Sequence, residues 1–450
     1  MEDATRRNHD PILRRDPTKA YPRIVRAEGS CLFDEAGKRY IDAAGGVFVI
    51  TVGHSAPDVV EAMARQAAEV AFAPTSEFTS DAEQDFARRL LALAPSAYTK
   101  AWICTSGSQA TETAIKMARV HHLNGGEGAR IQVVSRWNSY HGSSLGALAL
   151  TGHAPRREHF QPYFAPSPKI EPPYCYRCPF NLAQPGCGLA CADDLETTIR
   201  RIGAANLSAV IVEPVSGGPL GALPSPPGYL KRIREICDRH GLLMIIDEVI
   251  TGAGRTGLAF GFQHDDVEPD IVTLAKGIGG GFVPIGALLV HERVAKRFAE
   301  AGSVFRHGET FTGHAVIAAA GAAVLARIER EGLIERARTI GDRLGARLGR
   351  LADHPMVGEV RGVGLLWGIE LVADKATRAP YPRARQAADT VTRYAREAGV
   401  IVVAGIGCAD GVAGDTLCLS PPYVITEDEI EEIATVLEAA LDRAYAELSA

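Results

Sequence analysis

Residues 242–257 read LLMIIDEVITGAGRTG, and residues 269–290 read PDIVTLAKGIGGGFVPIGALLV. Each stretch holds an apolar run with no polar alternation, Leu242–Ile246 in the first and Ile271–Leu274 in the second. Strands covered on both faces of a sheet carry that pattern. Each run leads into a charged side chain, Asp247 and Lys276 respectively, and then into glycines. Open α/β sheets bind ligands beyond the carboxyl ends of their strands. An acid and an amine at two strand exits therefore predict an α/β fold with a ligand cleft along that edge.

Working outward, further buried-strand patterns lie at Ile131–Val134, Ala209–Val212 and Ala287–Val290. Helical patterns separate them at Gln109–Leu123, Leu195–Arg201 and Tyr229–His240, the last stopping at Gly241 as a C-cap. Alternation of strand and helix predicts a mostly parallel sheet. Beyond about residue 325 the pattern changes. Ala326–Leu351 reads as one long amphipathic helix, Val357–Val372 as strands with turns, and Arg383–Ala398 and Glu427–Leu448 as helices. Near the other end, Gly29–Asp42 reads as a hairpin turning at Asp34–Gly37. The predicted division is an N-terminal segment, 1–65, packing with a C-terminal small domain, 326–450, and a large domain, 66–325, between them.

A chain of 450 residues is too long for one ordinary core, which agrees with that division. The formal net charge of −6 offers no basic stripe for nucleic acid. Met1–Asp16 lacks the apolar segment of a secretory signal, and no run of apolar residues is long enough for a membrane span. Nine cysteines, an odd count in a large chain, predict free thiols and a reducing cytoplasm rather than a disulfide framework.

Four features carry chemistry. Asp247 stands where a carboxylate can meet a ligand. Lys276, if buried among its glycines, would lose proton affinity and gain nucleophilicity toward a carbonyl, the condition for Schiff-base chemistry. Thr105-Ser106-Gly107-Ser108 precedes the helix Gln109–Leu123, and free N–H groups at such a helix start suit a phosphate. Tyr140-His141-Gly142 puts an aromatic ring on a loop, where it can stack on a planar ligand. Each feature also has an ordinary reading: a solvated strand-end acid, a surface lysine, a helix N-cap, a packed core tyrosine.

Taken together, SGSQATETAIKMAR (106–119), NSYHGSSLGALALTG (138–152), VIVEPV (210–215), the two stretches quoted first, HGETFTGH (307–314), SPPY (420–423) and ITEDEI (425–430) resemble one family. So do Asp34, Gly37, Arg39-Tyr40-Ile41-Asp42 and Gly53-His54 near the start. This is the class III, or ω-amino acid, aminotransferase family of pyridoxal-phosphate fold type I. The resemblance implies a large cofactor-binding domain with a mostly parallel central sheet, plus a smaller α+β domain built from both chain ends.

It also implies roles. Lys276 would carry pyridoxal phosphate as a Schiff base and shuttle the substrate proton. Asp247 would keep the pyridine nitrogen protonated, Val249 would pack beneath the ring, and Tyr140, next to His141, would stack over it. Ser106, Gly107 and Ser108 would hold the phosphate. Thr310 would reach the phosphate of a neighbouring subunit, which implies a homodimer with shared sites and leaves a tetramer open. Glu213 matches a gate residue that in relatives pairs with an arginine until a carboxylate substrate arrives. Gln109 stands where a glutamate is common, and either residue suits an early helical turn. The reaction implied is a ping-pong transfer between an amino donor and a 2-oxo acid such as pyruvate or 2-oxoglutarate.

One departure bears on substrate. Relatives that bind α-carboxylates have an arginine three residues before the Pro pair, and here that position is Cys418. The preceding loop, AGIGCADGVAGD (404–415), contains neither Arg nor Lys. Glu213 would then lack its usual partner. Two expectations follow and stand side by side. In one, the donor is an amine or ω-amino compound attracted by a free Glu213, and Arg306 or Arg23 anchors the acceptor carboxylate. In the other, a nearby arginine compensates and ordinary amino acids are the substrates.

Residues 166–193 are dense in Pro, Cys and Gly and read as an irregular excursion. Cys175, Cys178, Cys187 and Cys191 have a spacing compatible with a four-thiolate zinc site, against which stand free thiols or a single disulfide. Other outcomes on the same cofactor frame are a decarboxylase, a lyase, a mutase and a racemase. A non-catalytic relative would have lost Lys276 or Asp247, and both are present.

Overall fold

The fold is that of a computed structural model that describes residues 11–449. Most of the Met1–Asp16 segment lies outside the described residues. A seven-stranded sheet forms the centre. From one edge its strands are Tyr98–Cys104, Gly286–His291, Ile271–Ala275, Leu243–Asp247, Leu207–Val212, Gln132–Arg136 and Lys169–Ile170. All run in one direction except Gly286–His291, which is antiparallel to both neighbours.

Side chains along these strands divide between two cores. Leu243 and Ile245 pack on one face, while Met244 and Ile246 pack on the other. Successive side chains of a strand point to opposite faces, so a strand buried on both sides must be apolar at every position. That is why Leu242–Ile246 and Ile271–Leu274 show no alternation. The helix Gly107–Asn124 helps cover one face, and Ala190–Ile202 and Tyr229–His240 the other. Gly241 closes the last in the left-handed conformation, φ 66°, as its sequence predicts.

Among the described residues there are also a two-stranded sheet, Val215–Ser216 with Leu223–Pro224, and two four-stranded sheets. One joins Ile24–Glu28, Cys31–Asp34 and Arg39–Asp42 to Val400–Ile401, so both chain ends build it. The hairpin turn is held by Asp34, whose Oδ1 accepts N–H bonds from Ala36 and Lys38 at 2.9 Å, with Gly37 at φ 82°. The other sheet has the order Val357–Val363, Leu366–Leu371, Asp415–Leu419, Val403–Ile406. Arg255, from the GAGRTG stretch, ties this region to the large sheet. Its buried guanidinium donates to the carbonyls of Pro421 and Ile50.

Three readings are corrected. The pattern at Ala326–Leu351 belongs to two helices, Ala315–Arg330 and Leu333–Gly349, with Gly332 between them at φ 60°. A left-handed glycine at that point ends the first helix. The strand Tyr98–Cys104 was not foreseen, because its lysine and threonine break the apolar run that marked the others. The excursion at 166–193 is irregular for most of its length, but it adds the edge strand Lys169–Ile170 and its last residues already belong to the helix Ala190–Ile202. Tyr174 and Arg177 from this excursion both bind Glu370, which fastens it to the smaller sheet. Among the described residues no helix is long and apolar enough to cross a membrane.

Candidate active site

The parallel strands bring their carboxyl ends to one edge, and the candidates that line the site sit at or just past these ends. Thr105–Ser108 follow Tyr98–Cys104. Arg136 closes Gln132–Arg136 and leads into Tyr140-His141. Glu213 follows Leu207–Val212, Asp247 ends its strand, and Lys276 follows Ile271–Ala275. Asp247 is in register with Thr273 of the neighbouring strand, three positions short of Lys276. The topology thus places the acid beside the amine.

These residues enclose a cavity of about 160 Å³ lined by Ser106, Gly107, Ser108, Tyr140, His141, Glu213, Asp247, Val249 and Lys276 among others. Lys276 has φ 48°, a strained value for a residue with a Cβ, and such strain concentrates at functional sites. Its proton affinity falls from 10.5 to about 8. Burial is the main cause, and the negative charges of Asp247 and Glu213 work against it. A large share of neutral amine is therefore present near pH 8, as a nucleophile requires.

Asp247 is 5% exposed, and both its oxygens are fixed. Oδ2 meets His141 Nδ1 at 2.7 Å and Oδ1 accepts from the Val249 N–H at 3.1 Å. Glu248 turns the other way. It accepts from the N–H groups of Gly261 and Phe262 at 2.9 and 2.8 Å, and burial lifts its pKa to about 7. Of the adjacent acids, Asp247 alone lines the cavity.

At the opposite end lies the start of the helix Gly107–Asn124. Ser106 Oγ accepts from the Gln109 N–H at 3.2 Å, so it caps the helix as well as lining the site. Ser108 Oγ accepts from the Ser143 N–H at 2.9 Å. A Cβ on Gly107 would lie 3.1 Å from Val249 Cγ1, so glycine keeps the helix start open toward the ring site. Glu309 binds the Thr105 N–H and hydroxyl at 2.6 and 2.8 Å, which anchors the HGETFTGH stretch to this loop. Thr310 itself is exposed and does not line its own chain's cavity.

The cavity offers a helix N-terminus for an anion, an aromatic wall, a fixed carboxylate and a depressed lysine. Those are the groups that the phosphate, ring, pyridine nitrogen and aldehyde of pyridoxal phosphate require. The profile of the family described as "Aminotransferase class-III" matches residues 13–441. The chain belongs to the class III aminotransferases. As a member it is a pyridoxal-phosphate-dependent enzyme of fold type I. An uncharacterized aminotransferase of Bacillus subtilis (strain 168), YodT, is 35% identical over 94% of this chain and 96% of its own length. Taurine–pyruvate aminotransferase of Bilophila wadsworthia (strain 3_1_6) is 38% identical over 94% of this chain and 91% of its own. The crystal structure of an amine transaminase from an uncultivated Pseudomonas species, in the PLP-bound form, superposes with TM-score 0.90 at 34% identity, covering 97% and 98% of the two chains.

In this class III aminotransferase several sequence expectations change. Glu213 is not left without a partner. Buried Arg136 donates to its Oε2 at 3.0 Å and to its carbonyl at 2.8 Å, and its Oε1 accepts from the Tyr140 N–H at 3.2 Å. Glu213 is neutralised from the strand side, so it does not stand free to attract a cationic donor. Arg136 went unnoticed, although it carries the same signal as Asp247, a charge at the end of an apolar strand. Arg306 lines a different cavity of the chain, and Arg23 is exposed and paired with Glu35 at 3.2 Å. Neither reaches the Lys276 cavity of its own chain. Cys418, in the arginine's place, is fully buried in an apolar cluster with Phe48 and Val215. Cys175, Cys178, Cys187 and Cys191 do line one narrow cavity. Their thiols are free, and among the described residues no group of three or more His, Cys, Asp or Glu is placed to hold a metal ion.

Gly142 supports the ring-side loop. Its φ is 140°, and an added Cβ would lie 2.7 Å from Ser108 Oγ and 2.8 Å from Ala147 Cβ. Gly142→Ala is expected to cost about 1–3 kcal/mol and to weaken cofactor retention. Urea unfolding and a cofactor-release titration check both.

Proposed function

We propose that the enzyme moves an amino group from an amine or ω-amino compound to a 2-oxo acid, pyruvate or 2-oxoglutarate, by a ping-pong mechanism. One observation carries the reading. Next to the cofactor cavity lies a second, of about 410 Å³, that shares Tyr140, Glu213, Ile250 and Lys276 with it. Its wall from the C-terminal region is Val403, Ala404, Gly405 and Ile406, together with Arg383 and Asp389. Arg383 faces Asp389 and Asp415 at 3.6 and 3.9 Å. With Cys418 buried, that region presents no unneutralised cation among the described residues, so the distal carboxylate of a donor such as glutamate or aspartate meets none there. Phe48, whose ring centroid is 5.3 Å from Lys276 Nζ, and Pro219 make the donor side apolar.

Pyridoxal phosphate, when bound, supplies the electron sink for the bond that breaks. The chain supplies the rest. Asp247, fixed by His141 and the Val249 N–H, holds a proton on the ring nitrogen. Lys276 Nζ takes the proton from the donor carbon and returns it on the other side of the transfer. Tyr140 and Val249 hold the ring between them, and the N–H groups at Gly107 and Ser108 hold the phosphate. The reading has the enzyme work as a homodimer, with the exposed Thr310 reaching the partner's phosphate. The named activity of the Bilophila relative supports an ω-amino donor with pyruvate as acceptor.

A donor panel of amines, diamines, β-alanine, 4-aminobutyrate and α-amino acids, each with pyruvate and 2-oxoglutarate, tests it. Amine and ω-amino donors are expected to exceed glutamate and aspartate in kcat/KM by at least about tenfold, a 1.4 kcal/mol preference. A preference for the dicarboxylic amino acids would reject the reading. Release of ammonia or carbon dioxide without amino transfer would assign a lyase or decarboxylase instead.

A further inference from the structure

The second cavity raises a question the substrate proposal leaves open, which is where the acid group of the acceptor is held. Four guanidinium groups lie around Lys276. Arg136 is committed to Glu213. Arg383 faces Asp389 and Asp415. Arg255 donates to the carbonyls of Pro421, Leu365 and Ile50. Arg156 is different. Among the described residues its guanidinium has no hydrogen-bond acceptor and no carboxylate partner. Its Cζ lies 4.7 Å from the centroid of the Tyr140 ring.

The adjacent Arg157 makes the contrast plain. Arg157 donates to the carbonyls of Leu148, Ala149 and Thr151, at 3.2, 2.9 and 2.5 Å, and so fastens the chain after the Tyr140 loop. Arg156, on the same short helix Ala154–Arg157, points its charge along the cavity wall instead. It is exposed, so its charge carries little desolvation cost in the free enzyme. It lines the same cavity as Lys276, close enough to contribute to the lysine's lowered proton affinity.

We propose that Arg156 is the substrate-binding residue that holds the carboxylate of the 2-oxo acid while its carbonyl carbon faces the Lys276 side of the cavity. The Tyr140 ring holds the guanidinium by a cation–π contact, Cζ to centroid 4.7 Å, and a planar guanidinium fork can offer two parallel N–H groups to a carboxylate. Apart from Lys276, which the cofactor takes, the other charged side chains lining that cavity, Glu213, Arg383 and Asp389, are paired, so Arg156 is the uncompensated one that steers an anion. The anchor comes from the loop after the Tyr140 stretch of the large domain. The C-terminal loop at 404–415, where an arginine is absent, is not needed for it. The sequence hid this, because TGHAPRREHF carries two consecutive arginines and nothing in their order says which one is used structurally.

The proposal rests on the transamination reading, and the test separates the two. Wild type, Arg156→Leu and Arg156→Lys holoenzymes are assayed with one accepted amine and with either pyruvate or propanal, an acceptor without a carboxylate. Propanoate serves as a non-reacting competitor, with its binding to the holoenzyme measured by calorimetry. Losing a charged hydrogen bond is expected to raise the KM for pyruvate in Arg156→Leu by roughly 10- to 100-fold. Propanoate binding weakens by a similar factor, propanal kinetics change far less than pyruvate kinetics, the visible cofactor band is retained, and Arg156→Lys recovers part of the loss. If the pyruvate KM stays within about twofold of wild type, or if propanal suffers equally, Arg156 is not the anchor although transamination stands. If wild type uses none of pyruvate, 2-oxoglutarate and propanal with any donor, the transamination reading fails. Calorimetry then decides the anion site on its own: propanoate binding lost in Arg156→Leu upholds it, and binding retained overturns it.

Discussion

Lys276→Ala holoenzyme is expected to lose at least about 10⁴-fold in kcat with every donor, together with the visible absorption of the lysine-bound cofactor. The lysine has two tasks that no neighbour can assume. It is the amine at the end of the Ile271–Ala275 strand, and among the described residues no other amine side chain lines the same cavity. A small primary amine added to the Lys276→Ala enzyme should restore part of the turnover, because what is missing is a proton carrier in a cavity otherwise intact. Retained turnover without added amine would defeat the assignment.

The same side chain sets a pH dependence. Its pKa is about 8 in the fold against 10.5 when exposed. Cofactor uptake by the cofactor-free enzyme needs the neutral amine, so its rate should rise with pH and level off above about 8. Stability moves in a linked way. Between about 8 and 10.5 the unfolded chain binds more protons than the folded one, so stability of the cofactor-free protein rises with pH across that window. Below it the cost of burying the charge is present in full. Lys276→Ala removes that cost, so its stability advantage over wild type is greatest at neutral pH and shrinks above about pH 8. Chemical unfolding of cofactor-free protein at several pH values reads this directly.

The legible part of this protein was the part where one physical demand acts on consecutive residues. A doubly covered strand must be apolar throughout, and Leu243–Asp247 and Ile271–Ala275 announced themselves that way. A strand exit beside a cleft can carry a charge, which exposed Asp247 and Lys276. Pairings between distant segments were not legible. Nothing local marks Arg136 as the partner of Glu213, 77 positions away. The missing arginine at 418 suggested an unpaired Glu213 because the substitute comes from another strand altogether. The break at Gly332 was hidden because the apolar spacing continues across it, although the helix axis does not. Arg156 and Arg157 are neighbours of one chemical type, and only their contacts distinguish them.

Asp247→Asn should lower kcat by roughly 10²- to 10³-fold, the loss typical of removing one electrostatic stabiliser from a preorganised site, while leaving the fold intact. The substitution is nearly isosteric. The asparagine oxygen can still accept from the Val249 N–H, and His141 can meet the amide through its other tautomer. Removing the side chain altogether is a different experiment. Asp247→Ala strands the buried Nδ1 of His141, at about 1–3 kcal/mol, and mixes a stability loss with the chemical one. Asn isolates the charge. A carboxylate at this position keeps a proton on the ring nitrogen, and that proton makes the ring accept electrons from the donor carbon. An amide cannot hold it there. The decisive comparison is therefore made with the cofactor rather than with another residue. A pyridoxal phosphate methylated on its ring nitrogen carries a permanent positive charge and needs no proton. Reconstituted with it, Asp247→Asn should recover much of the lost rate, whereas wild type should gain nothing. Equal rates for the variant with both cofactors would mean that Asp247 acts only as a support for His141, and the electron-sink role would have to be assigned elsewhere.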